Sequence, residues 1–163
     1  MTREEFKGLF DKYFDSIRSY IYYRCGDTEM ATDIAQDVFM QVWEKQFEIR
    51  EGKIKSLLYK MAGDLFISRY RRKELEQKYI NSIELDYMED SPEEKAEMEE
   101  LIEKYESSLA ALPENQRTVF LMSRNEGLKY SEIAERLNIS VKAVEKRMNK
   151  ALVLLRDALE YKG

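Results

Sequence analysis

The stretch from Tyr130 to Ala151 constrains this chain more than any other, because it writes a short helix, a tight turn and a longer helix into consecutive residues. Ile133, Ala134 and Leu137 fall at i, i+1 and i+4 and give the first helix one buried face, which Ser131 is placed to N-cap. Asn138 tolerates the left-handed backbone that a tight turn demands. Asn138-Ile139-Ser140 is therefore expected to turn the chain and let Ser140 cap the second helix. In that helix Val141, Val144, Met148, Leu152, Leu155 and Leu159 recur every three or four residues as the expected buried stripe. Lys142, Lys146, Asn149 and Lys150 lie opposite, with Arg147 on the flank. Between Ser140 and Arg156 five basic residues meet one acid, Glu145, in a chain whose net charge is −5. A solvated basic face would satisfy that pattern. A capped turn feeding a basic helix fits better the second helix of a helix-turn-helix, which lies in the DNA major groove.

Length allows one or two small domains: the chain has 163 residues, 44% of them hydrophobic and 36% charged, a composition suited to long exposed helices. No apolar run approaches membrane-spanning length, and Met1-Thr2-Arg3-Glu4-Glu5 does not read as a signal peptide, so a cytoplasmic location is expected. Cys25 is the lone cysteine and there is no histidine, which leaves a zinc site only carboxylates to draw on. The inventory also lacks a histidine base, a Cys/His pair and a glycine-rich phosphate loop. None of the 32 acids stands out as catalytic. A binding protein with no cofactor is expected, not an enzyme.

From the N-terminus, Thr2-Arg3-Glu4-Glu5 has the spacing of a capping box. Behind it Phe6, Leu9, Phe10, Tyr13, Phe14, Ile17, Tyr20 and Ile21 form an apolar stripe that Gly26 closes. Asp27 or Thr28 starts a second helix that buries Ala31, Ile34, Ala35, Val38, Phe39, Val42 and Trp43. Its other side, with Asp33, Gln36, Asp37, Gln41 and Glu44, is acidic and amide-rich. After a polar loop, Phe47 to Gly52, a third helix is predicted over Ile54 to Lys73 with the stripe Ile54, Leu57, Leu58, Met61 and Leu65, joined by Ile67 or Tyr70. Seven basic residues between Lys53 and Lys73 oppose one acid, Asp64, and Tyr59, Phe66 and Tyr70 are interleaved with them. Basic charge tracks phosphates and aromatic faces stack on unpaired bases, so the combination suits single-stranded nucleic acid. A plain core stripe with a charged last turn accounts for each residue taken singly.

The charge then inverts. From Glu74 to Leu112 three lysines stand against thirteen acids, and residues 74–90 read as an acidic linker. Ser91-Pro92-Glu93-Glu94 is a strong helix start, and Met98, Leu101, Ile102, Tyr105, Leu109 and Leu112 share a face before Pro113 stops the helix. A second domain is thus expected over residues 91–163, with one more helix, roughly Glu114 to Asn125, ahead of the helix pair already described.

The arrangement resembles the extracytoplasmic-function (ECF) sigma factors of bacterial RNA polymerase, with motifs in the family's order over nearly the whole chain apart from the linker. Asp33-Ile34-Ala35-Gln36-Asp37-Val38-Phe39-Met40-Gln41-Val42-Trp43 is similar to the helix that grips the clamp of the polymerase largest subunit. Leu58-Tyr59-Lys60-Met61-Ala62 through Tyr70-Arg71-Arg72 resembles the segment that melts and reads the −10 element. Leu112-Pro113-Glu114-Asn115-Gln116-Arg117-Thr118-Val119-Phe120 and the helix-turn-helix resemble the −35-binding domain. The resemblance implies an all-α protein of two small helical domains, at 1–73 and 91–163, and the core polymerase, promoter DNA and an anti-sigma factor as partners. It places the core contact on Asp33, Gln36, Asp37 and Gln41. Contacts to the −10 element and melting fall to Lys55, Tyr59, Lys60, Phe66, Arg69, Tyr70, Arg71 and Arg72, and −35 contacts to Ser140, Lys142, Lys146, Arg147 and Lys150.

Departures from the family pattern fall at Leu57, Asp64, Ser68 and Ala143, where Trp, Asn, Asp and Thr are usual. No base contact is carried onto Asp64, whose charge would oppose DNA. Two other readings stay open: a helix-turn-helix repressor or activator, which leaves the N-terminal helices without a task, and a helical regulatory protein that has lost DNA binding. Copurification of core polymerase followed by promoter-specific transcription separates all three.

Overall fold

In the computed structural model the described residues are 1–48, 50, 52–74 and 92–160, with side chains described for these except 71–74, 92–95 and 160. They form helices α1 (Arg3–Cys25), α2 (Thr28–Lys45), α3 (Ile54–Glu74), α4 (Pro92–Ala111), α5 (Glu114–Glu126), α6 (Tyr130–Leu137) and α7 (Val141–Glu160), with no strand among the described residues. The expected acidic linker, beyond the last residue of α3, lies outside the described residues.

Local chemistry fixes the helix ends. Thr2 Oγ1 accepts from the Glu5 N–H at 3.0 Å while the Glu5 carboxylate accepts from the Thr2 N–H at 2.8 Å, closing the expected capping box. Gly26, at φ 72°, ends α1 in the left-handed conformation, and Asp27 Oδ1 accepts from Met30 N–H at 3.1 Å to start α2. Antiparallel packing of α1 on α2 follows from that short connection, and it buries Ile17, Ile21, Ile34, Val38 and Val42. Phe39 is the hub. Its ring lies 6.4 Å from Phe6, 5.3 Å from Phe10 and 5.9 Å from Phe14. Trp43, expected inside, is 41% exposed, because Phe6 covers only one side of its ring at 5.2 Å.

The third helix differs from its predicted stripe. Ile54, Leu58, Tyr59, Ala62 and Phe66 are its buried hydrophobic residues, whereas Leu57, Met61 and Leu65 are half-buried and Ile67 is exposed. This helix packs on α1 and α2 and also on α6, so its apolar surface wraps past a single stripe and periodicity alone misplaces the centre. In the C-terminal half α7 packs on α4, α5 and α6. Its buried stripe is Val144, Met148, Ala151 and Leu155. Leu152 and Val141, expected in the stripe, are exposed, because Ala151 sits in register with Val144 and Met148 and fills the position closest to the neighbouring helices. On α4 the apolar face is buried only at its C-terminal end, at Leu109 and at Leu112 just beyond the helix, while Met98 and Leu101 are exposed.

The two halves touch: α5 lies against α1, and α6 against α3.

Candidate nucleic-acid interface

The helix pair has the predicted turn with a different start. Helix α6 begins at Tyr130 with Lys129 as N-cap, and the Lys129 N–H donates to Glu132 Oε1 at 2.8 Å. Ser131, one residue inside the helix, is not the cap. At the other end Asn138 is left-handed, with φ 56° and ψ 49°, and Ile139 N–H donates to the Ala134 carbonyl at 3.0 Å. Ser140 Oγ then accepts from Ala143 N–H at 3.0 Å and caps α7. Beyond the cap, Ser140, Lys142, Glu145, Lys146, Asn149 and Lys150 are exposed and line one shallow surface depression. Arg147 is half-buried and outside it. No ion pair among the described residues neutralises Lys142, Lys146 or Lys150. This depression is a cationic surface of the kind that attracts phosphate.

The basic third helix is arranged otherwise. Lys55 pairs with Glu135 at 3.3 Å, Lys60 with Asp64 at 3.0 Å, and Arg69 with Asp37 on α2. Three of its cations are thus already matched to acids within the molecule. Tyr59 and Phe66, expected to meet exposed bases, are 2% and 1% exposed. Tyr70 is half-buried and packs on Phe66 at 5.0 Å between ring centroids. Arg71 and Arg72 continue α3, and their side chains lie outside those described. On α2, Asp33 and Gln36 are exposed and Asp37 and Gln41 half-buried, which gives a polar face of four residues.

Tyr59 is covered from both halves of the chain: the Tyr20 ring of α1 lies 5.0 Å from its own, and α6 closes over it. Arg136 on α6 donates Nη1 to the Tyr59 hydroxyl at 3.2 Å and lies 5.8 Å from its ring, while Ser56 Oγ donates to the Glu135 carbonyl at 3.2 Å. Burial pushes the Tyr59 hydroxyl up to about 12, against the pull of Arg136. Nearby, burial also raises the Glu126 carboxyl, with Tyr23 and Arg136 acting the other way.

A second set of contacts joins α1 to α5. Arg24 donates Nε to Glu114 Oε1 at 2.8 Å and Nη1 to the Tyr20 hydroxyl at 3.0 Å, and its guanidinium lies 4.5 Å over the Phe66 ring. Gly63 makes room for it. A Cβ there would stand 3.3 Å from Arg24 Nη1 and 3.4 Å from the Tyr20 hydroxyl, which explains a glycine inside a helix. Arg117, 4% exposed, donates Nε to the Tyr23 carbonyl at 2.8 Å, Nη2 to the Arg24 carbonyl and Nη1 to the Leu112 carbonyl at 3.1 Å. It thereby satisfies end carbonyls of α1 and the carbonyl just beyond α4 with one buried cation. Burial lowers its pKa from the ordinary arginine value.

Sequence reading missed Arg24, Arg117, Glu135 and Arg136. Two of these left a trace, because Arg24 follows Tyr20 by four and Ile17 by seven, and Arg117 precedes Phe120 and Leu121 by three and four. An arginine in phase with an apolar stripe is a buried arginine waiting for carbonyls or acids. Glu135 and Arg136 gave no such signal.

The comparisons with known proteins agree with this geometry. Residues 9–76 match the family described as Sigma-70 region 2, and residues 102–155 match Sigma-70, region 4. The ferric citrate uptake sigma factor FecI of Escherichia coli (strain K12) is 32% identical over 151 residues, 90% of this chain and 86% of that protein. The sigma factor SigZ of Bacillus subtilis (strain 168) is 28% identical over 93% of this chain and 85% of its own. Among solved structures, the sigma factor RpoE from Bartonella quintana, in complex with the anti-sigma factor NepR, superposes with TM-score 0.69 at 18% identity, over 98% of this chain and 99% of that one. CnrH in complex with the cytosolic domain of CnrY superposes at 0.62 with 19% identity, over 99% and 92%. With region 2 and region 4 in order, and full-length relatives at this level of identity, the chain belongs to the ECF sigma factors, which direct RNA polymerase to promoters.

Proposed function

We propose that residues 1–73 bind core polymerase and open the −10 element, that residues 91–163 read the −35 element, and that the acidic stretch 74–90 tethers the two. The chain supplies recognition and strand opening without catalytic chemistry of its own, and it works in the cytoplasm. One observation supports this reading above the others: α7 follows a left-handed Asn138, is capped by Ser140, and presents Lys142, Lys146 and Lys150 on its exposed face with no ion pair among the described residues. Of these, Lys142 and Lys146 are assigned with Arg147 to base edges near the start of the helix, and Lys150 to phosphate.

The closed arrangement precedes promoter engagement. Elements centred near −35 and −10 lie about 25 base pairs apart, on the order of 85 Å of B-form DNA. Here α3 and α6 approach to 3.2 Å between Ser56 Oγ and Glu135 O, so both elements can be held only after the halves separate. Separation removes Arg136 from Tyr59 and Glu135 from Lys55, which frees the −10 face. Phe66 is covered by Arg24 of its own half and serves mainly as core. A partner of the anti-sigma class, such as the NepR bound to RpoE of Bartonella quintana, would hold the chain away from DNA.

Tagged protein should retain core polymerase and confer promoter-specific transcription in vitro; a folded chain that does neither removes the reading. For the core contact, Asp33→Lys with Gln36→Ala is the clean variant, because Asp37 is engaged with Arg69. It should weaken core binding with helicity unchanged, and wild-type core affinity would take these residues out of the interface. For DNA, Lys150→Ala in the full chain should lower the slope of log affinity against log salt by about 0.9, equally on promoter and scrambled duplexes. An unchanged slope returns that lysine to solvent.

A further inference from the structure

Glu145 is the one acid lining the cationic depression of α7. It is exposed, lines the same depression as Lys142, Lys146, Asn149 and Lys150, and makes no ion pair with any lysine among the described residues. An isolated carboxylate on a surface that approaches phosphates weakens binding to every sequence alike. It has one attractive partner in the major groove, an exocyclic amino group, and cytosine N4 is the donor that a carboxylate side chain takes up there. Its place agrees with that partner. Glu145 is the fifth residue of α7, within the N-terminal part of the helix that meets base edges. Lys142, three residues before it, and Asn149, four after, are its neighbours on the helix surface, and Lys146 lines the same depression.

We propose that Glu145 is a specificity-determining residue of the −35 interface: its carboxylate accepts a hydrogen bond from a cytosine amino group, while the lysines around it carry the affinity. The carboxylate costs affinity on all other sequences and so discriminates by repulsion as well as attraction. This rests on the assignment of α7 to DNA.

The test reconstitutes the full chain with core polymerase and selects from duplex promoters randomised across the −35 region. Wild type should enrich a C·G pair at one position, and Glu145→Ala should lose that preference by roughly tenfold, within the range for one good base contact. The same variant should bind scrambled duplex more tightly than wild type, the opposite sign from any lysine variant. Glu145→Gln should move the preference at that position toward adenine, the base that an amide reads. If Glu145→Ala tightens binding to all sequences by one factor and leaves the enriched pattern intact, the residue is only a repulsive surface charge and the inference fails. A run with Lys146→Ala separates the levels: if that variant also matches wild type in affinity and pattern, α7 does not face DNA and the underlying assignment has failed.

Discussion

Replacing Arg117 with methionine is expected to cost the folded chain about 3 kcal/mol, since the lost hydrogen bonds and the stranded carbonyls are offset in part by no longer burying a charged guanidinium. Methionine keeps most of the length and apolar contact of the side chain, so the change isolates the guanidinium. Its acceptors belong to both halves: Tyr23 and Arg24 at the end of α1, and Leu112 just beyond α4. Two readouts should therefore move together. Urea denaturation should show an earlier transition, and small-angle scattering should show a larger radius of gyration as α5 leaves α1. Wild-type values in both would mean that Arg117 does not hold the halves closed.

Phe39→Ala should have an effect at least as large, about 3–5 kcal/mol, the range for emptying a buried aromatic site. Phe39 is 1% exposed and sits among Phe6, Phe10 and Phe14 from α1, so its loss removes the contact that holds the first turns of α1 against α2. Denaturation with a tryptophan signal is apt, because Trp43 shares the Phe6 ring and reports on this end of the domain. A loss below about 1 kcal/mol would mean that the neighbouring rings collapse into the space.

The fold was legible where local chemistry decides it. Thr2, Gly26, Asp27, Asn138 and Ser140 act at helix ends through their own side chains or backbone freedom, and each does in space what its residue type and spacing predict. The cationic face of α7 was legible too, since exposed lysines on one side of a helix need only helical geometry to stand together. Legibility failed where residues far apart in sequence meet. Tyr59 looks like an exposed aromatic among lysines, and it becomes core because Tyr20 of α1 packs on its ring and α6, more than seventy residues later, lies over it. Lys55 and Arg69 contribute to a basic run in the sequence and are neutral pairs in the fold, with Glu135 and Asp37. A charge count along one helix cannot register acids that arrive from another.

The seam between the halves has a consequence for dosage. Because α1 and α5, and α3 and α6, belong to one chain, closure is unimolecular and its extent does not depend on how much protein is present, whereas capture by the polymerase rises with polymerase concentration. A partner that needs the open form sees its intrinsic dissociation constant divided by the open fraction. Strengthening the seam by about 1.4 kcal/mol would then require roughly tenfold more polymerase for the same occupancy. A residue buried in the seam, such as Arg117, can in this way set how much polymerase the chain needs before it responds.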